Sequence, residues 1–153
     1  MSLEEKEKGK KLKRHAPSRE GTRRLLGAIH RRLDVASNSS LYNEIRLEQA
    51  YEAVLLCAMA AVQASGYRVR QGEGHHYETI DTLQYTLGID QQLLKYFQAL
   101  RRKRHEGLYE GMIAVSDSEV GDALVRANEL WGNLQSWFES NHPELLVDVE
   151  GPD

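Results

Sequence analysis

The residues best suited to chemistry lie in one run, Leu100-Arg101-Arg102-Lys103-Arg104-His105-Glu106-Gly107-Leu108-Tyr109-Glu110. Arg101, Arg102 and Lys103 can contact phosphate, because guanidinium and ammonium groups donate charged hydrogen bonds to phosphate oxygens. His105 titrates near neutral pH and can therefore move protons. On a helix advancing roughly 100° per residue, Leu93, Phe97, Leu100 and, if the helix continues, Leu108 form one apolar stripe. Arg104 lands in the middle of it. Arg101, His105 and Tyr109 follow at four-residue steps along one flank. A guanidinium centred on an apolar face is costly unless something pairs it. Two readings of Arg104 follow. Either a partner meets it, or it sits at a fraying helix end with its stem on the core and its head in water.

Other reactive residues are sparse. His75 and His76 are adjacent in a glycine-rich stretch, but adjacent histidines seldom converge on one metal ion without further ligands. Cys57 is the single cysteine and sits in Ala53-Val54-Leu55-Leu56-Cys57-Ala58-Met59-Ala60-Ala61-Val62, where a buried small hydrophobe is expected rather than a nucleophile. No Walker loop, dinucleotide-binding glycine pattern or paired-cysteine zinc motif occurs, so neither a cofactor nor a metal site is expected.

The elements that must position these residues read as helices. Proline occurs only at Pro17, Pro143 and Pro152, which leaves a long middle free for uninterrupted helices. A first helix is expected from about Arg19 to Val35. A second, which Asn38-Ser39-Ser40 can cap, carries Leu41, Ile45, Ala50, Val54, Leu55, Ala58 and Val62 and ends at Gly66. Its later part is apolar on every side, which predicts the central, most buried element. Gly66 to His76 reads as a loop. A short third helix carries Ile80, Leu83 and Leu87, with Gly88 closing it. Asp90 can cap a fourth helix running to about Gly107. Ser116 with Glu119 has capping-box spacing and opens a fifth, bearing Trp131, Leu134, Trp137 and Phe138, which Pro143 ends. No segment shows strand alternation. The fold class expected is all-α, an antiparallel, up-and-down bundle of four to five helices. The expected organisation is a charged tail over 1–17, disordered or loosely helical, a bundle over 18–142 and a C-terminal tail over 143–153.

Composition sets outer limits. The chain has 153 residues, enough for one domain with a real core. Its formal net charge of −3 means that any nucleic-acid binding must come from a local patch. A lone cysteine, no apolar run long enough for a bilayer and a polar N-terminus together predict a cytoplasmic protein with no membrane attachment.

The run around Arg104 resembles a motif of the HEPN family of small helical-bundle proteins. In that motif an Arg, usually followed by a polar residue such as Asn, precedes a His by four to six positions near the end of a late helix. Gly66-Tyr67-Arg68-Val69-Arg70, Gly74-His75-His76-Tyr77 and Val115-Ser116-Asp117-Ser118-Glu119 also resemble bacterial members, and the likeness spans roughly Ala36 to Pro143. Carried over by position, Arg104 matches the family arginine, His105 falls where Asn is common, and Tyr109 falls where the catalytic His belongs. The resemblance implies a protein acting on RNA, as a metal-independent ribonuclease or a toxin-like component of a defence or toxin–antitoxin system. It implies a homodimer, RNA or a nucleotide as ligand, and an antitoxin-type protein as a further partner. In that scheme Arg104 stabilises phosphate charge, His105 is the acid or base and Tyr109 orients substrate. Tyrosine, with a reference pKa of about 10, is a poor base at neutral pH. Hence either His105 substitutes, or the chain is a non-catalytic nucleotide-binding, RNA-binding or dimeric interaction module.

Overall fold

A computed structural model describes residues 1–108 and 114–147. Among them the chain is mostly helical, with one small two-stranded sheet. Helix α1 covers Leu3–Lys8 and is followed by strand β1, Leu12–Arg14. Helix α2 covers Arg19–Ala36, and the Ser18 hydroxyl accepts the Gly21 N–H at its start. Helix α3 covers Asn43–Ala64. The expected cap at Asn38-Ser39-Ser40 serves the preceding loop instead. Asn38 Oδ1 accepts the amide and hydroxyl of Ser40, an Asx turn that competes with helix capping. Gly66, at φ +96°, turns the chain out of α3 in the left-handed conformation that glycine tolerates best.

The core is built on α3, which buries Leu47, Ala50, Tyr51, Ala53, Val54, Leu55, Cys57, Ala58, Ala60, Ala61, Val62 and Ala64. Its small residues let α2 and helix α7, Asp117–Asn141, pack closely against it. Helix α7 contributes Val120, Ala127, Leu130, Leu134 and the fully buried Phe138. Trp131 and Trp137 also pack on this core. Helix α7 opens with the expected capping box between Ser116 and Glu119. Cys57 is buried, and burial pushes its thiol pKa up, which makes it inert at neutral pH. No helix among the described residues is long and apolar enough to cross a membrane.

The expected third helix is two short ones, α4 at His75–Asp81 and α5 at Leu83–Thr86. The break is at buried Thr82, whose hydroxyl donates to the Thr79 carbonyl at 2.6 Å. Helix α6, Gln91–Lys103, is capped by Asp90, whose carboxylate accepts the Leu93 N–H at 2.8 Å. It runs into a π-helical turn at Arg104–Leu108, where Gly107 reaches φ +124°.

Two expectations need correction. The charged N-terminal stretch, read as a disordered or loosely helical tail, is ordered against the rest of the chain, and the Gly66–His76 loop contains strand β2, Tyr67–Val69. Strand β1 pairs antiparallel with β2, with Leu12 opposite Val69 and Arg14 opposite Tyr67. Leu12 is fully buried beside Val62, Tyr67 and Val69. Lys6 is buried between Glu78, at 2.7 Å, and Asp81, at 2.5 Å, both on α4. Burial opposes its charge, but hydrogen bonds to Asp81 and Glu78 outweigh that and hold its pKa above the ordinary 10.5. The tail reading rested on missing apolar periodicity. Three residues of alternation and one paired lysine are too small a pattern to register that way.

The N-terminal segment should therefore carry stability. Lys6→Ala leaves two partly buried carboxylates facing each other, and urea denaturation should show a loss of roughly 3 kcal/mol. Leu12→Ala should cost about 2–5 kcal/mol, the scale of a cavity at a fully buried leucine. The stability contributed by Lys6 is fully present below the unfolded-state lysine pKa and should fade as pH rises through the higher folded value. Wild-type stability for both variants at pH 7 would mean that the segment only rests on the surface.

Candidate functional site

Helix α3 presents Glu48, Tyr51 and Glu52 on one face, since positions three and four apart are neighbours on a helix. Helix α4 begins just after Gly74, at φ +79°, and its first turn holds His76. The end of α6 and the turn that follows supply Arg101 and Arg104, again three residues apart. These three elements pack on one another.

Arg104 finds its partners on α3. Its Nε donates to Glu48 Oε1 at 3.2 Å, and Nη2 lies 3.3 Å from Glu52 Oε1. The guanidinium carbon sits 5.6 Å from the centre of the Tyr51 ring, within cation–π range. Of the two readings of Arg104, pairing is the one that the geometry displays. Tyr51 is fully buried, and its hydroxyl shares a 2.9 Å hydrogen bond with His76 Nδ1. Arg101 donates from Nε to Gln98 Oε1 at 2.8 Å and lies 5.5 Å from the Tyr77 ring centre. Gln98 in turn donates to the Tyr77 carbonyl, so the mount of Arg101 is fixed at both ends.

Burial and charge set the protonation states. Burial raises the Tyr51 pKa, with Arg104 and Arg101 opposing, so Tyr51 is a neutral phenol. Burial and the charge of neighbouring Glu48 raise Glu52, while Arg104 and Arg32 pull it down. Burial lowers the His76 pKa, and Arg104, His75 and Arg101 lower it further. A neutral imidazole therefore stands beside two guanidinium groups. That combination can accept a proton while fixed positive charge holds an anion.

The other residues singled out from sequence divide. His105 is exposed and takes no part in this network. Tyr109 lies outside the described residues. Arg102 is exposed, at the edge of a groove of about 270 Å³ that Tyr77, Lys95 and Gln98 also line. Lys103 is paired with Glu119 and ties the end of α6 to α7. Glu48, Tyr51 and Glu52 were missed, and His76 was weighed only as a metal ligand. The signal available was three polar side chains at helical spacing on a helix whose later part is almost wholly apolar. Among the described residues, no group of three or more His, Cys, Asp or Glu is placed to hold a metal ion. A cleft of about 440 Å³ between α2 and α7, lined by Leu26, Trp131 and Phe138, lies apart from this cluster. No protein-family model, curated protein or solved structure matches the chain.

Removing the cation should expose the carboxylates. Arg104→Ala leaves Glu48 and Glu52 close together and partly desolvated, which should lower stability by roughly 2–3 kcal/mol at pH 7.5. The raised pKa of Glu52 should rise further. A carboxyl that holds its proton more tightly when folded stabilises at low pH, and that stability is lost as pH rises. The variant should thus recover part of its deficit at pH 5. Urea midpoints at the two pH values check this, and an equal deficit at both would contradict it.

Proposed function

We propose that this chain is an HEPN-like protein that acts on RNA. In this reading the helices form an antiparallel, up-and-down bundle, and a phosphodiester of the strand sits against Arg101 and Arg104. The observation that carries it is the pairing of fixed guanidinium charge with an uncharged imidazole at His76. Phosphodiester transfer to a 2′-hydroxyl needs both a charge that stabilises the developing phosphorane and a group that takes a proton. It needs no activated water and hence no metal ion.

The proposal extends to partners. The chain acts as a homodimer, in a toxin-like role with an antitoxin-type protein as counterpart. Arg102, exposed at the groove edge, supplies a further phosphate contact.

A second reading has its own support. Glu48 and Glu52 already balance Arg104, and two carboxylates near a phosphate repel it. That favours a non-catalytic module that binds RNA or a nucleotide through Arg101 while Arg104 holds the fold.

The distinguishing experiment uses EDTA-treated protein and single-stranded RNA of varied sequence. Cleavage should occur without metal and leave 2′,3′-cyclic phosphate ends. Arg104→Lys keeps a positive charge for Glu48 and Glu52 but loses the planar fork, and should lower the rate by roughly two to three orders of magnitude. Equal cleavage by wild type and Arg104→Lys would assign the activity to another site or to a contaminant. Binding without cleavage would establish the module reading. Light scattering at micromolar concentration should give a dimer mass, and a clean monomer would remove the dimeric part of the proposal.

A further inference from the structure

We propose that His76, held by Tyr51, is the proton-transfer residue of this site, acting on the 2′-hydroxyl of an RNA strand; this rests on the RNA reading above. Proton transfer at the cluster needs a titratable group inside it. His105, exposed and outside the network, does not supply one. His76 comes from a different element, α4, and meets Tyr51 of α3 directly.

The geometry suits a base. Tyr51 is fully buried, so its hydroxyl is a fixed point rather than a mobile one. Its hydrogen bond engages Nδ1 and sets the imidazole orientation, with the rings 6.0 Å apart at 39°. Among the described residues no hydrogen bond engages Nε2. When Nδ1 carries the proton and donates to the Tyr51 oxygen, Nε2 holds the lone pair that accepts from substrate. Tyr51 acts through His76 and is a positioning residue.

The charges around His76 favour the same state. Facing it are Arg101 and Arg104 from α6 and its following turn, and His75 from α4 itself. From α3 come Tyr51 and the two carboxylates, Glu48 and Glu52, both engaged by Arg104. Elsewhere around α4, Lys95 and Arg102 of α6 line the groove beside Tyr77 and Asp81, and Lys6 engages Glu78 and Asp81. Arg68 of β2 bears on His15, and Tyr85 of α5 lies against Lys6.

The step balances without an outside reagent. The 2′-oxygen attacks the adjacent phosphorus, and its proton passes to His76 Nε2. The bond from phosphorus to the 5′-oxygen breaks, and that oxygen takes a proton from solvent. His76 then returns its proton to solvent. The products are a 2′,3′-cyclic phosphate and a 5′-hydroxyl, with nothing oxidised or reduced.

The test is the pH–rate profile of EDTA-treated full-length protein on a fluorescent single-stranded RNA oligonucleotide. Wild-type kcat/KM, which reports the free protein, should fall as pH drops through the lowered His76 pKa, below 6.5. His76→Gln should lose that acid limb and roughly 10²- to 10⁴-fold in kcat. Tyr51→Phe should lose roughly two- to tenfold in kcat at unchanged KM, the effect of one hydrogen bond on orientation. The NMR titration midpoint of the His76 imidazole in wild type should match the kinetic limb, a check that holds even where a variant folds poorly. A mismatch, or an unaltered profile in His76→Gln, overturns the His76 assignment and leaves the RNA reading standing. Wild type that binds RNA without cleaving overturns the catalytic assignment alone. Wild type that neither binds nor cleaves overturns both.

Discussion

Arg104 stands where a charge is hard to keep. It follows Phe97 and Leu100 on a face that packs into the core, and only about a quarter of its side chain reaches solvent. Without partners such a guanidinium would destabilise the packing of α6 on α3. Glu48 and Glu52 remove that problem because α3 carries them one turn apart on the side that faces α6. The same two carboxylates would repel each other without the cation, and burial first and the charge of Glu48 second already raise the Glu52 pKa. Neither half of the arrangement is stable alone. The register between α3 and the end of α6 is therefore set by charge as well as by apolar contact.

This constraint explains why the cluster gathers where it does. Glu48 and Glu52 bracket Tyr51, so fixing Arg104 on the carboxylates also lays it against the Tyr51 ring. Tyr51 is buried and has one hydroxyl to satisfy, and α4 meets that need with His76. Each polar group in the chain of contacts satisfies the next. The result is an imidazole kept neutral and guanidinium charge kept close, at the meeting point of three helices.

The periodic features of this fold were legible in the sequence, and the pairwise ones were not. The length and burial of α3, the capping box of α7, Asp90 at the start of α6 and Gly66 after α3 all follow from local patterns spanning a few residues. The run around Arg104 was found because a cation interrupted an apolar stripe. What it pairs with lies more than fifty positions earlier in the chain, and no local pattern carries that information. Lys6 is a sharper case. Its partners, Glu78 and Asp81, are some seventy residues away, and a lysine among lysines and glutamates reads as solvent-exposed. His75 and His76 drew attention only as metal ligands, because their relation to Tyr51 depends on where α4 docks. The break between α4 and α5 was hidden for a different reason. A threonine hydroxyl that bonds back to the helix leaves the apolar spacing of Ile80 and Leu83 intact.

Helix α4 is short, and at seven residues it would not hold its shape unaided. Its position rests on tertiary contacts at both ends. Near its start, His76 meets Tyr51. Near its end, Glu78 and Asp81 meet Lys6, whose helix is in turn anchored by the pairing of β1 with β2. Between them, Thr79 and Ile80 are buried. The N-terminal segment fixes the helix that delivers the histidine. Weakening the Lys6 contacts would leave the Tyr51 hydrogen bond, the Gln98 bond to the Tyr77 carbonyl and the buried Thr79 and Ile80 to hold α4. The orientation of His76 would then loosen before the core itself opened. In this fold a mostly charged segment serves the site by restraining an element too short to restrain itself.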